Sequence, residues 1–133
     1  MRYVICCTQD GNSYNWGSAT SVNSYIMSIS IAAKFPSAGN TECWSFSHAP
    51  ADKAQILISI RDLPTPISYV ESEGALKLDT PSKATKFLLL NAGSSAYYMQ
   101  TPDKKYVNVN TSSLINKLVV GENPITQWTF GVV

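Results

Sequence analysis

The sequence predicts an all-β fold made of three similar units, and three observations carry that prediction. Short runs rich in Val, Ile, Tyr and Thr alternate with clusters of Gly, Pro, Asn, Asp and Ser, while helix-period patterning is almost absent. The pattern Trp-x-Phe occurs at Trp44–Phe46 and again at the end of the chain, Trp128–Phe130. Trp44, Phe87 and Trp128 also follow one another at spacings of 43 and 41 residues, a repeat length that accommodates four strands per unit.

With 133 residues, 44% of them hydrophobic, the chain has the length of one domain with an ordinary core. That domain is expected to span 1–133, with units of roughly 1–50, 51–92 and 93–133. The first unit takes strands at Tyr3–Thr8, Ser13–Gly17, Tyr25–Ile31 and Cys43–Phe46. The second takes Ala54–Ile60, Ile67–Val70, Leu76–Leu78 and Lys86–Leu90, and the third Tyr97–Gln100, Tyr106–Val109, Lys117–Val120 and Gln127–Phe130. Pro50–Ile58 alone has a helical alternative, because Pro50 suits a first turn and Asp52 favours a helix N-terminus. Strand alternation puts both rings of each Trp-x-Phe on one face, so each is expected to send an aromatic pair into a shared, closed core.

Two units agree more closely. Asp10–Trp16 (DGNSYNW) lies over Asp103–Val109 (DKKYVNV) without a gap, so that a turn beginning at Asp feeds a strand with Asn15 or Asn108 at its sixth position. In the middle unit Ser68 takes that place, and the closing strand begins with Phe87 instead of Trp.

Ten basic and nine acidic residues give a net charge of +1, with no Lys/Arg stripe for a row of phosphates, so nucleic acid is not expected as a partner. The first residues reach Asp10 and Gly11 before a secretory h-region develops, and no apolar run approaches the ~20 residues of a membrane span. A cytoplasmic protein without membrane insertion is the expectation. Cys6, Cys7 and Cys43 are too few for a disulfide framework and read as free thiols. With His48 the only histidine and no C-x-x-C pair, neither metal nor cofactor is expected.

A dozen short strands, the period near forty and the unit-ending tryptophans of GNTECWSF and ENPITQWTF resemble the β-trefoil, specifically the mushroom-type, ricin-B-like lectins. The family's Gln-x-Trp ending is represented by Gln127-Trp128 and by Glu42-Cys43-Trp44. The resemblance implies a multivalent fungal lectin without catalysis, for glycans bearing galactose or N-acetylgalactosamine. Monomer and homodimer both stay open. In that family a carboxylate near the end of the second strand accepts sugar hydroxyls, a ring covers the sugar, and polar residues ahead of the closing Trp add bonds.

Carried onto this chain, the carboxylate position falls on Asn15, Ser68 and Asn108. Asn retains one acceptor and two donors for paired hydroxyls. Asn15 and Asn108 are accordingly expected half-exposed at strand ends, where they contribute little to folding. The ring position falls on Ile26, Asp79 and Val119, none of them aromatic, which leaves Trp16, Tyr25 and Tyr106 as substitutes. Asn123 and Gln127 are the polar residues ahead of Trp128, and His48 is either a turn residue or part of the first pocket. The alternative from another class is a trefoil protease inhibitor acting through the proline-bracketed loop Arg61–Pro66. No base, nucleophile and orienter coincide in a motif, so an enzyme is not expected.

Overall fold

The alternation of inward apolar and outward polar residues folds into curled antiparallel sheets, described by a computed structural model over residues 1–18, 21–32 and 40–133, with backbone only at 40 and 41. β1 (Arg2–Gln9) pairs along one edge with β15 (Thr129–Val132). Its other edge is shared by β2 (Asn12–Ser18) and β5 (Trp44–Phe46). β5 pairs with β7 (Ile58–Ile60), which follows β6 (Gln55–Ile56) in one stretch of chain, and β6 pairs with β10 (Phe87–Gly93). β10 pairs with β11 (Ala96–Gln100), and a bridge from Tyr97 to Trp128 leads back to β15. These pairings run in a closed ring, in which β6 and β7 together fill one place, the first pairing with β10 and the second with β5.

Three further hairpins join the ring: β2 with β3 (Met27–Ser30), β8 (Ile67–Val70) with β9 (Ala75–Leu78), and β12 (Tyr106–Asn108) with β14 (Val119–Gly121). They bond one another through their backbones. The Ile26 amide donates to the Leu76 carbonyl (2.9 Å), Leu118 donates to Ile26 (3.2 Å), and Val120 donates to Gly74 (3.0 Å). Ile26, Leu76 and Leu118 are all buried at this meeting point.

The core confirms why aromatic residues recur at the closing strands. Trp44, Phe87 and Trp128 are fully buried. Trp16 from β2 stands between two of them, edge-on to Trp44 (5.8 Å) and to Trp128 (5.5 Å). Phe46 and Phe130, two residues further along their strands, are half-buried and extend this core toward solvent, with Tyr3 stacked on the first and Tyr97 on the second. The Trp128 indole donates to the Val107 carbonyl (2.9 Å).

Several elements differ from expectation. The expected strand Ala54–Ile60 is present as β6 and β7, and the helical alternative at Pro50–Ile58 is not taken: a turn with Lys53 in the left-handed region leads into β6. The one helical segment among the described residues is instead a 3₁₀ turn, Pro81–Lys83, with proline at its first position. The expected strand Lys117–Val120 is two strands, because buried Leu118 divides β13 (Ile115–Lys117), paired with β3, from β14, paired with β12. A short β4 (Asn40–Thr41) pairs with β2. No helix among the described residues is long and apolar enough to cross a membrane. The three cysteines are free, and burial first, then Cys6, pushes the Cys7 thiol up to about 12.

Because Trp16 touches two closing tryptophans, Trp16→Ala should cost about 3–5 kcal/mol in urea denaturation, whereas Val22→Ala at the surface should stay within about 0.5 kcal/mol.

Candidate ligand-binding cleft

The Asn/Ser positions carried over from the sequence resemblance are structural clamps in two of three cases. Asn108 is only 4% exposed. Its Nδ2 donates to the Asn123 carbonyl (3.0 Å), while its Oδ1 accepts from the amides of Ile125 (3.2 Å) and Thr126 (3.1 Å). The side chain thus holds the segment that leads into the last strand, and the expectation of a half-exposed sugar ligand is corrected. Ser68 is also buried and donates to Asp79 Oδ2 (2.8 Å). The next residue repeats a second bond. The Tyr69 amide donates to Thr85 Oγ1, as the Val109 amide does to Thr126 Oγ1, both at 2.9 Å. Thr85 and Thr126 each stand two residues before a closing aromatic, a Thr-x-Phe/Trp signal that sequence reading missed. Asn15 remains half-buried, opposite Cys6 and Ile29.

The other expected site residues are dispersed. Trp16 is core and cannot cover a sugar without opening the fold, a correction that follows from its complete burial. The Tyr25 hydroxyl donates to Glu73, and the ammonium groups of Lys77 and Lys117 lie 4.6 and 4.1 Å from the ring centroid, so cations occupy the surface a sugar would need. Across from Asn15, Ser68 and Asn108 stand Ile29, Lys77 and Val119, so the stacking position again holds no ring. His48 is exposed, but its Nε2 and Nδ1 face the carbonyl oxygens of Gln55 (2.6 Å) and Ala49 (3.0 Å), which makes it a turn residue. Asn123 is exposed and contributes its carbonyl to the Asn108 clamp. Gln127 is exposed, with Nε2 donating to the Tyr98 hydroxyl at 3.5 Å.

The Arg61–Pro66 loop is a tight turn folded onto the protein. Arg61 is left-handed (φ 47°), its amide donates to Cys43, and Glu42 lies 3.7 Å from its Nε. Pro66 is buried, whereas Leu63 and Pro64 are exposed. A depression of about 170 Å³ beside it is lined by Leu57, Ser59 and prolines, with little to hydrogen-bond a polar ligand.

A better provided cleft, of about 280 Å³, opens on the outer face of the sheet containing β6, β10 and β11. Cross-strand register creates it. Leu88 pairs with Gln55 on one side and Gln100 on the other, and Gln100 pairs in turn with Tyr106. Two carboxamides therefore flank one apolar floor residue, and the Gln100 Nε2 donates to the Tyr106 hydroxyl (3.3 Å), which anchors that amide. Lys86 lines the cleft from the same strand face as Leu88, by alternation. Pro102 and Lys104 border it from the turn between β11 and β12.

That turn is rigidly built. The Thr101 amide donates to the Lys105 carbonyl (2.8 Å), the Lys104 amide to the Thr101 carbonyl (2.9 Å), and the Lys105 amide to the Thr101 hydroxyl (3.0 Å). Asp103 accepts from the hydroxyls of Thr101 and Tyr69, the latter at 3.0 Å, and those bonds hold its carboxyl below the usual range, Thr101 contributing most. Burial and then Asp103 push the Tyr69 phenol up to about 12. Of the expected site residues, only Tyr106 stands beside this cleft.

Among the described residues no group of three or more His, Cys, Asp or Glu is placed to hold a metal ion. No family model matches the chain, and no curated protein matches it.

Two outcomes follow. Asn108→Ala leaves the buried Thr126 amide and the part-buried Ile125 amide without an acceptor and should cost about 2–3 kcal/mol in denaturant unfolding, against about 1 kcal/mol or less for Asn15→Ala. For Asp103, whose folded-state value is depressed, the stabilising contribution is present above the ordinary value of 3.8 and is lost as pH falls through the folded value. The stability gap between the wild type and Asp103→Asn should therefore narrow in acid, as read by thermal unfolding across that range.

Proposed function

We propose that the chain is a non-catalytic carbohydrate-binding protein, a β-trefoil of three four-stranded units in the manner of the ricin-B-like lectins. The closed ring of pairings and the three mutually bonded hairpins support the trefoil. So does the repeated bond from Tyr69 to Thr85 and from Val109 to Thr126. The sugar site in this reading is the outer cleft and not the Asn15 and Asn108 positions.

One observation carries the functional reading: the row Gln55–Leu88–Gln100 sets two amides around a small apolar floor in an open, shallow cleft. A sugar ring has that same pairing of a C–H face with hydroxyls at its rim, and both amides offer an acceptor to adjacent hydroxyls, with two donors from Gln55 and one from Gln100, whose other N–H is held by Tyr106. The volume lies near the lower end of the ~300–1,000 Å³ range of ligand pockets, which suits one or two sugar rings. The depression beside Tyr3, Phe46 and His48 has comparable size, about 270 Å³, but the polar nitrogens of His48 already face backbone carbonyls.

The row is present on one flank. The register-equivalent positions beside β5 are Arg2, Ser45 and Ser59, and beside β15 they include Thr129 and Cys6. With one such row among the described residues, crosslinking through it requires association of chains, because crosslinking needs two sites on one body.

The test is a glycan array followed by titration of the best ligand, with galactose and N-acetylgalactosamine among those displayed. Gln55→Ala and Gln100→Ala should each weaken binding by about 2- to 10-fold, the value of one neutral hydrogen bond, and Asn15→Ala should leave it unchanged. A folded protein that retains no glycan would discard the reading. Tight protease inhibition that disappears on replacing Arg61 and Leu63 would put an inhibitor in its place.

A further inference from the structure

Resting on the carbohydrate-binding reading, we propose that this cleft selects sugars bearing an anionic substituent, a sulfate ester or a carboxylate, held by the ammonium groups of Lys86 and Lys104. Both lysines line the cleft, and no carboxylate does. The ion pairs among the described residues engage other cations: Arg2 with Asp62, Arg61 with Glu42, Lys77 with Glu73, and Lys105 with Glu122. Lys86 and Lys104 belong to none of these. The neighbouring acid, Asp103, is turned onto the hydroxyls of Thr101 and Tyr69. The cleft therefore presents two uncompensated positive charges beside two uncharged amides, an arrangement that attracts an anion more than it does a neutral sugar.

The backbone supplies a second, independent observation. Lys104 lies in the left-handed region (φ 63°), where a side chain is disfavoured and glycine is the unstrained choice. In sequence Asp10–Trp16 lies over Asp103–Val109 and Gly11 aligns with Lys104, but Gly11 (φ 78°) sits in a two-residue turn whose Asp10 is left-handed too, whereas the loop holding Lys104 spans three residues, 102–104. A three-residue hairpin loop of this kind ordinarily takes glycine at its left-handed position. Here the turn carries a long cation at that cost, and its own hydrogen bonds fix the backbone from which Lys104 extends at the rim of the cleft.

The experiment is calorimetric titration of the purified protein with lactose, with lactose sulfated on its galactose ring, and with sialylated lactose. At low salt at least one acidic form should bind about tenfold more tightly than lactose, the increment of a charge-assisted contact, and the ratio should shrink as salt rises. Lys86→Gln combined with Lys104→Gly should bring the ratio of acidic to neutral affinity close to one. Lys104→Gly alone should lower the ratio while raising the thermal midpoint, because it releases the left-handed strain, so lost selectivity cannot be a folding defect. Equal affinity for all three sugars overturns the anion assignment and leaves the lectin reading intact. An acidic preference that survives in the double variant also overturns it. Failure to bind any of the three, or any glycan on the array, overturns both.

Discussion

Two backbone hydrogen bonds between Tyr97 and Trp128, at 2.9 and 2.8 Å, link the sheet containing β11 to the sheet containing β15, and the ring of strands is closed only through them. On the opposite side the same two sheets are joined by the chain itself, where Gln55–Ile56 continues into Ile58–Ile60. Once the ring exists, its interior must be filled from the closing strands. The residues available are the large aromatics Trp44, Phe87 and Trp128, with Trp16 wedged between two of them. With those rings inside, the binding surface proposed above is built from outward-facing side chains.

What the sequence made legible was whatever repeats along the chain. Trp-x-Phe reads as an inward pair because strand alternation is local, and the structure keeps Trp44 and Trp128 in the core with Phe46 and Phe130 beside it. The equivalence of Ser68 and Asn108 was legible too, but not its meaning. A carboxamide that can hold two sugar hydroxyls can equally hold two backbone amides, and only the position of Ile125 and Thr126 decides between them. Across from Asn108 the expected Val119 is found, but the alignment puts Ile26 where Ile29 pairs with Asn15 and Asp79 where Lys77 pairs with Ser68. The single buried Leu118 likewise concealed a division of one apparent strand into two.

The cleft was illegible for a different reason. Gln55, Leu88 and Gln100 are far apart in sequence and share no motif; they become neighbours through cross-strand register alone. The nearest textual hint was the Lys at position 104 against Gly11, in two aligned segments that share their first Asp and their Asn at the sixth position. Departures of that kind carry more information about a site than the matches do, since matches are dominated by what the fold requires.

The pairing of β1 with β15, which sets Tyr3 against Val132, bears on how the protein is made. The first strand cannot find that partner until the last has left the ribosome. At about 5–20 residues per second, roughly 6–25 s separate their synthesis. Through that interval the hairpin of β1 and β2 must wait with one edge of apolar, β-branched sequence unpaired, a surface that invites pairing with other chains. Folding is therefore committed late and as a whole. Its vulnerable period lies during translation, when a chaperone that shields Tyr3, Val4 and Ile5 would contribute more than any later assistance.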